Sequence, residues 1–305
     1  MSETPELVWI DGEFVPWKDA KIHIMTHALH YGSAVFEGIR AYYHEDELYV
    51  FRLREHMKRL VDSAKILQIK NRYTVDELVD ITVRTLRENR FRTSVYIRPI
   101  IFVGEGGIGI DFVKNPVRTA IIAVPFHSYF DKVGLRVHVS SWRRIPDNSL
   151  PARAKAASNY VNSILATREA RSMGYDEAIL LDQQGYVSEG AGENLFLVKN
   201  GVINTPPVSS SILEGITRDT VMTLARDMGY EVVERLIGRS ELYTADELFF
   251  TGTAAEVQPI LEVDDRKIGD GNPGKITKQL MDMYARVVRG MEKRYERWLT
   301  RVYKQ

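Results

Sequence analysis

The chain has 305 residues, with 41 basic and 41 acidic side chains, 44% hydrophobic residues and no cysteine. A formal net charge of zero gives no electrostatic case for nucleic acid or an anionic membrane surface. The missing thiols exclude disulfides, thiolate nucleophiles and cysteine metal sites.

The length suits two domains. No apolar run nears the roughly 20 residues that cross a bilayer, and the acidic start MSETPELVWIDGEF lacks a signal peptide's basic and apolar regions, so a cytoplasmic protein is expected. In chain order, VWIDGEFVPW reads as two short strands around the hairpin signal Asp11-Gly12. ELYVFRL (47–53) alternates like a strand, and REHMKRLVDSAKILQ (54–68) has helical periodicity. Thr74 with Glu77 forms a capping box that opens a helix over TVDELVDITVRTLREN. Two strands follow, SVYIRPIIFV and RTAIIAVPF, joined by a glycine-rich loop, and HSYFDKVG (127–134) reads as a linker.

Beyond the linker, GLRVHVSSW is a strand and SNYVNSILATREARSMG a helix closed by Gly174. EAILLD, YVSEG and NLFLVKNGVINTP read as strands with turns at Gln184-Gly185 and Asn200-Gly201. A helix over ITRDTVMTLARDMG, further strands and a last helix over GKITKQLMDMYARVVRGMEKRY finish the chain. Without regular βαβ alternation a doubly wound sheet is disfavoured, and the class expected is α+β. The division expected is a small N-terminal domain over 1–126, a linker over 127–134 and a larger C-terminal domain over 135–305.

Three patterns suggest sites and fail on context. GEGGIG (104–109) matches a dinucleotide fingerprint, but only IDFVKNP separates it from the next strand, with no room for a helix. His23, His27 and His30 have ligand-like spacing without a carboxylate to complete a site, so no metal is expected. Asp264-Asp265 lacks the glycine and spacing of a calcium loop and reads as a solvated turn.

The chemistry-bearing candidate is Lys155 in PARAKAASNY. Its small neighbours let another group approach the amine and supply no counter-carboxylate. A deprotonated lysine attacks carbonyls, although the stretch alone favours a lysine snorkelling to water from a strand end. Tyr160 lies five residues on, and a shared helical face needs three or four. Lys155 is therefore expected to end a strand, with Ser158 or Asn159 capping the helix that carries Tyr160. In SEGAGENLF (188–196), Glu189 sits in a glycine-rich segment where a carboxylate needs a donor, for which a protonated pyridine nitrogen is suited. Gly215, Ile216 and Thr217 open a helix whose N–H groups suit an anion, with Thr217 as a plain N-cap the alternative. TGTAAE (251–256) offers backbone donors, and Arg59 offers a guanidinium or is simply an exposed helical arginine.

Together, eight segments resemble the class IV aminotransferases, which are fold-type IV pyridoxal-phosphate enzymes, and within them the bacterial-type branched-chain amino acid aminotransferases. They are HALHYGSAVFEGIR (27–40), REHMKRL (54–60), YIRP (96–99), GGIGI (106–110), AKAASNY (154–160), SEGAGENLF (188–196), GITRD (215–219) and GTAAE (252–256), in the family's order. The resemblance implies a two-domain, D-amino-acid-aminotransferase-like fold and pyridoxal 5′-phosphate as cofactor. It makes Lys155 the Schiff-base lysine and proton shuttle, Tyr160 the partner of the cofactor's phenolic oxygen, and Glu189 the partner of its ring nitrogen. Arg59, Ile216, Thr217 and Thr253 match its phosphate positions.

Tyr96, Thr253 and Ala254 resemble the family's α-carboxylate site. Tyr31, Phe36, Gly38, Ile110 and Tyr129 resemble the apolar pocket, and Arg98 matches the arginine that receives a distal carboxylate. Phe126 departs from the family, which often carries tryptophan there. The implied reaction is ping-pong transamination between branched-chain L-amino acids and 2-oxoglutarate. The implied assembly is a homodimer with shared active sites, across which Tyr31 and the 106–110 loop reach, and a trimer of dimers is compatible with it. A D-amino-acid or (R)-amine transaminase of the same fold is the alternative. YIRP and GGIGI favour the branched-chain type. A non-catalytic scaffold or a cofactor-free lysine aldolase leaves Arg59, Ile216 and Thr217 unexplained.

Overall fold

The computed structural model describes residues 5–107, 109–126 and 129–304. Ile108 of the GGIGI loop, and His127 and Ser128 at the start of the expected linker, lie outside the described residues. The chain forms two compact units, one of 1–127, 154–158 and 287–305, the other of 128–153 and 159–286. Neither is contiguous, which differs from the single cut near 127–134 expected from the sequence. The Lys155 pentapeptide and the chain's end belong with the first unit because each pairs with strands there.

In the first unit, β1 (Leu7–Ile10) and β2 (Glu13–Pro16) form the expected hairpin. Gly12 takes the left-handed turn position at φ 111°. Helix α1 (His27–Tyr31) leads into β3 (Ala34–Phe36), β4 (Ile39–His44) and β5 (Glu47–Phe51). Helices α2 (Leu53–Ile66) and α3 (Val75–Glu88) follow, then the long hairpin of β6 (Val95–Val103) and β7 (Val117–Pro125). Leu53, Met57, Leu60 and Ala64 lie at steps of three and four along α2, and all are buried in the unit's core with Ile39, Val50 and Ile97 from the sheet. Thr74 and Glu77 close the capping box that starts α3. No helix joins β6 to β7 among the described residues, so the glycine-rich stretch is a strand-to-strand loop.

The second unit contains β8 (Leu135–Arg143), α4 (Tyr160–Ser172), β9 (Glu177–Leu181), β10 (Val187–Gly190), β11 (Asn194–Lys199) and β12 (Val202–Thr205). It continues with α5 (Ile216–Asp227), β13 (Val232–Glu234), α6 (Arg239–Leu242), β14 (Glu247–Gly252), β15 (Glu256–Val263), β16 (Arg266–Lys267) and most of α7 (Lys275–Val287). The sheet runs β10-β9-β8-β15-β14-β11-β12-β13, with β16 beside β15. Two crossovers, β8-α4-β9 and β12-α5-β13, are parallel βαβ units inside an otherwise largely antiparallel sheet. The irregular spacing of strands hid them from a pattern search, and the α+β class holds.

Asp264 and Asp265 form a turn at φ 46° and 60°, as expected, but Asp264 is not merely solvated. It accepts from the Val139 N–H, the Arg239 guanidinium and the Tyr243 hydroxyl, so it ties three segments together.

The last helix ends at Val287, not at Tyr295. Gly290 turns at φ 74°, and the chain passes through a 3-10 segment, Lys293–Trp298, to β17 (Leu299–Arg301), which pairs with β5. Glu47, fully buried at the start of β5, accepts from the backbone N–H groups of Val302, Tyr303 and Lys304. Burial pushes this carboxyl up, but the backbone donors outweigh it and hold the group below the usual carboxylate range. Its contribution is therefore complete above the ordinary carboxylate pKa and is lost as pH falls through the lower folded value. Glu47→Ala is expected to speed amide exchange at 302–304 at neutral pH. Unchanged protection there would contradict this anchoring.

Candidate active site

Lys155 lies between a turn and an isolated bridge, not at the end of a strand. Its carbonyl accepts from Phe36 N–H at 3.1 Å, its N–H donates to Ser63 Oγ at 3.0 Å, and Ala156 bridges Val35. The lysine is thus pinned at its backbone between β3 and α2, with Nζ 5.2 Å from the Phe36 ring centre. Asn159 occupies the cap position of α4 but makes no cap bond with its side chain. Its amide instead donates to the Pro151 carbonyl at 3.1 Å. A 3-10 turn over Ala157–Asn159 leads into the helix, so Asn159 stands at the expected cap position without a side-chain cap bond.

Around Lys155 stands a buried group that sequence reading missed. Glu37 is inaccessible to solvent, and its two oxygens accept from Arg59 Nε at 2.6 Å and Arg59 NH2 at 2.9 Å. The second oxygen also meets His56 Nδ1 at 2.7 Å. Burial alone pushes the Glu37 carboxyl up, but the Arg59 and His56 charges and hydrogen bonds reverse this and hold it far below the usual range. Burial lowers His56, and the Glu37 carboxylate 2.7 Å from Nδ1 opposes that shift. Arg59 is therefore not an exposed helical arginine. One edge of its guanidinium is committed to Glu37, and a phosphate role is confined to the other edge. His56 and Arg59, three apart on α2, were the available signal. The carboxylate that joins them carried none.

One face of the first sheet carries the expected substrate residues. Gly38, Arg40, Tyr96 and Arg98 share it through the β4–β6 register, in which Arg40 pairs with Tyr96. Arg98 NH2 donates to Tyr96 Oη at 2.9 Å, and its guanidinium lies 4.6 Å from the Phe36 ring centre. Arg98 Nε is buried without an acceptor among the described residues. A methyl built on Gly38 would stand 2.1 Å from Tyr96 Oη, so only glycine leaves that hydroxyl its place. Phe126 lies 5.5 Å from Tyr96 and 5.0 Å from the guanidinium of Arg40, a buried arginine that the motifs did not single out.

In the second unit Glu189 is 6% exposed on β10. Its Oε1 is 2.7 Å from Arg144 Nε, and its Oε2 accepts from Asn194 Nδ2 at 3.1 Å and Leu213 N–H at 3.0 Å. Arg144 and Asn194 were also missed. Only the five-residue step from Glu189 to Asn194 inside one motif hinted at the second. Ile216 and Thr217 are the first two residues of α5 behind the cap Gly215. Thr217 is thus not the cap, and the two N–H groups belong to the unbonded first turn. Thr253 and Ala254 lie in the turn between β14 and β15. Tyr160 and Tyr129 line one cavity of about 590 Å³ with Ala191 and Gly192.

Tyr31 and Ile110 are 48% and 82% exposed. The three histidines take separate partners: His23 accepts from Met25 N–H, His27 bonds Ser33 Oγ and the Gly109 carbonyl, and His30 bonds the Ile24 carbonyl. No group of three metal-ligating side chains gathers among the described residues. Nor, among them, is any helix long and apolar enough to cross a membrane.

Known proteins match the chain over most of its length. The family model for amino-transferase class IV matches residues 34–263. A probable branched-chain-amino-acid aminotransferase of Aquifex aeolicus is 51% identical, covering 98% of this chain and 97% of its own. The crystal structure of a branched-chain aminotransferase from Thermoproteus uzoniensis with norvaline superposes at a TM-score of 0.95, with 47% identity over 98% of this chain and 100% of that one. A branched-chain amino acid aminotransferase from Thermobaculum terrenum, solved in its PLP-form, gives 0.94, with 41% identity over 99% and 100%.

The Glu37–Arg59 pair has a direct consequence for stability. Arg59→Met leaves a buried carboxylate without its main counter-charge, and such losses cost about 3–5 kcal/mol. Denaturant unfolding is expected to show that loss near neutral pH and a smaller one in mild acid, where Glu37 takes up a proton. An equal loss at both pH values would contradict the assignment.

Proposed function

The chain belongs to the amino-transferase class IV family, and from that premise we propose that it is a pyridoxal-phosphate-dependent branched-chain-amino-acid transaminase. It moves the amino group of leucine, isoleucine or valine to 2-oxoglutarate, giving the branched 2-oxo acid and L-glutamate in two half-reactions. The observation that carries the substrate assignment is Arg98. A buried guanidinium nitrogen without an acceptor, set against the Phe36 ring, suits a ligand that is apolar in one half-reaction and carries a distal carboxylate in the other.

The donor set fits the cofactor. Glu189 is a buried carboxylate that accepts from Asn194 and Leu213 and is ion-paired with Arg144, which suits a protonated ring nitrogen. The first turn of α5 at Ile216 and Thr217 suits a phosphate. Bound pyridoxal 5′-phosphate supplies an electron sink for the pair left on Cα when its proton departs. In this reading Lys155 Nζ would hold the cofactor until the substrate's amine displaces it, and the freed amine would then take the Cα proton and carry it to the other side of the transferred nitrogen. Glu189 keeps the proton on the ring nitrogen, and Tyr160 donates to the phenolic oxygen. Arg59, through the edge not held by Glu37, and Thr253 assist Ile216 and Thr217 with the phosphate. Tyr96, Thr253 and Ala254 hold the α-carboxylate. Phe36, Gly38, Tyr129, Tyr31 and Ile110 bound the apolar pocket and exclude water.

A homodimer is part of the proposal, with Tyr31 and the loop carrying Ile110 completing the partner's pocket. Ile24, Leu29, Ile110 and Val113 are all more than half exposed. Leu29 also lines a groove of about 580 Å³ with Trp17, Ile22 and Phe102. Apolar side chains this exposed are what a second copy would cover. A cytoplasmic location is also proposed, supported by the cysteine-free composition.

Lys155→Ala is expected to fold normally, by circular dichroism, and to lose measurable amino transfer. A near-normal rate would overturn the role of Lys155. Given L-leucine, D-alanine and (R)-1-phenylethylamine as donors, the wild-type protein should turn over L-leucine fastest. Dominant turnover of D-alanine would overturn the substrate assignment.

A further inference from the structure

Asn194 lies at the start of β11 and is 5% exposed. Its side chain closes a ring of three hydrogen bonds. Nδ2 is 3.1 Å from Glu189 Oε2 and 2.9 Å from the Leu213 carbonyl oxygen, and the Leu213 N–H donates to the same Oε2 at 3.0 Å. The other end of the amide presses on the cap of α5, since a methyl built on Gly215 would stand 2.0 Å from Asn194 Oδ1. Gly215 has φ −70° and ψ 132°, which any residue adopts, so space and not conformation requires glycine there. One buried amide thus measures the distance from the Glu189 carboxylate to the first turn of α5.

We propose that Asn194 is a positioning residue that couples the ring-nitrogen end of the cofactor site to its phosphate end. The inference rests on the proposed function above, in which Glu189 meets the ring nitrogen and Ile216 and Thr217 meet the phosphate. Glu189 then has two tasks on two oxygens. Oε2 anchors segment 213–215, while Oε1 lies 2.7 Å from Arg144 Nε. Because the anchored segment runs straight into α5, the direction of the Ile216 and Thr217 N–H groups depends on a side chain that itself touches no phosphate. Removing the amide leaves the helix but frees its first turn, which weakens anion binding that depends on fixed N–H directions.

The test uses full-length protein stripped of cofactor, with inorganic phosphate as the probe and calorimetry as the readout. Asn194→Ala should bind phosphate about tenfold more weakly than wild type, a typical size for coupling between two sites. Asn194→Asp keeps the shape but places a second carboxylate against Glu189 Oε2. Two carboxylates at that distance share a proton in acid, and the shared proton restores the bond to Glu189, while the bond to the Leu213 carbonyl stays lost. Relative to wild type at the same pH, Asn194→Asp should therefore be weak at about pH 8 and recover part of its affinity at about pH 5.5. Loss of stability alone would not produce that recovery. Wild-type protein that takes up pyridoxal phosphate, together with an Asn194→Ala affinity equal to wild type or an Asn194→Asp affinity that does not recover, overturns the coupling. Wild-type protein that takes up neither pyridoxal phosphate nor inorganic phosphate overturns the functional reading beneath it.

Discussion

An ionised carboxylate removed from water is tolerated only when charge and hydrogen bonds replace its hydration. Each unit meets this constraint once with an arginine at its functional residues. Glu37 is answered by Arg59 and His56, and Glu189 by Arg144, Asn194 and a backbone N–H. In both cases the compensation fixes more than charge. The Glu37 pair fixes one edge of the Arg59 guanidinium, and Glu189 holds the Leu213 N–H just before α5. The chemistry proposed for Lys155 depends on these two buried groups being held in place.

The same economy of space explains the small residues in the motifs. Gly38 leaves room for the Tyr96 hydroxyl, and Gly215 leaves room for the Asn194 amide. Neither glycine has a left-handed backbone, so both are places where another side chain arrives. Ala154 and Ala156 flank Lys155 for a related reason, since both are buried in the first unit's core while the lysine between them is only half-buried.

The sequence made elements legible wherever local chemistry decides them. The Thr74–Glu77 box, the Asp11-Gly12 hairpin and the periodicity of α2 need no tertiary context. The parallel crossovers and β17 were not legible. The Lys293–Trp298 stretch reads as a continuing helix until β5 offers a partner for Leu299–Arg301, and no local signal announces that partner. Among site residues, the motifs exposed the side chains proposed to meet a ligand: Lys155, Glu189, Arg98 and Thr217. The residues that hold those side chains, Glu37, Arg144 and Asn194, escaped, because a buried polar group is defined by partners far away in sequence. Arg144 lies 45 positions before Glu189.

The account stands or falls on Lys155 as the residue that carries the cofactor. The most direct measurement is to treat the purified protein with borohydride, digest it and locate the fixed pyridoxyl group by mass spectrometry. A single modified residue, Lys155, is the result predicted. A pyridoxyl group on another lysine, or on none, would contradict it.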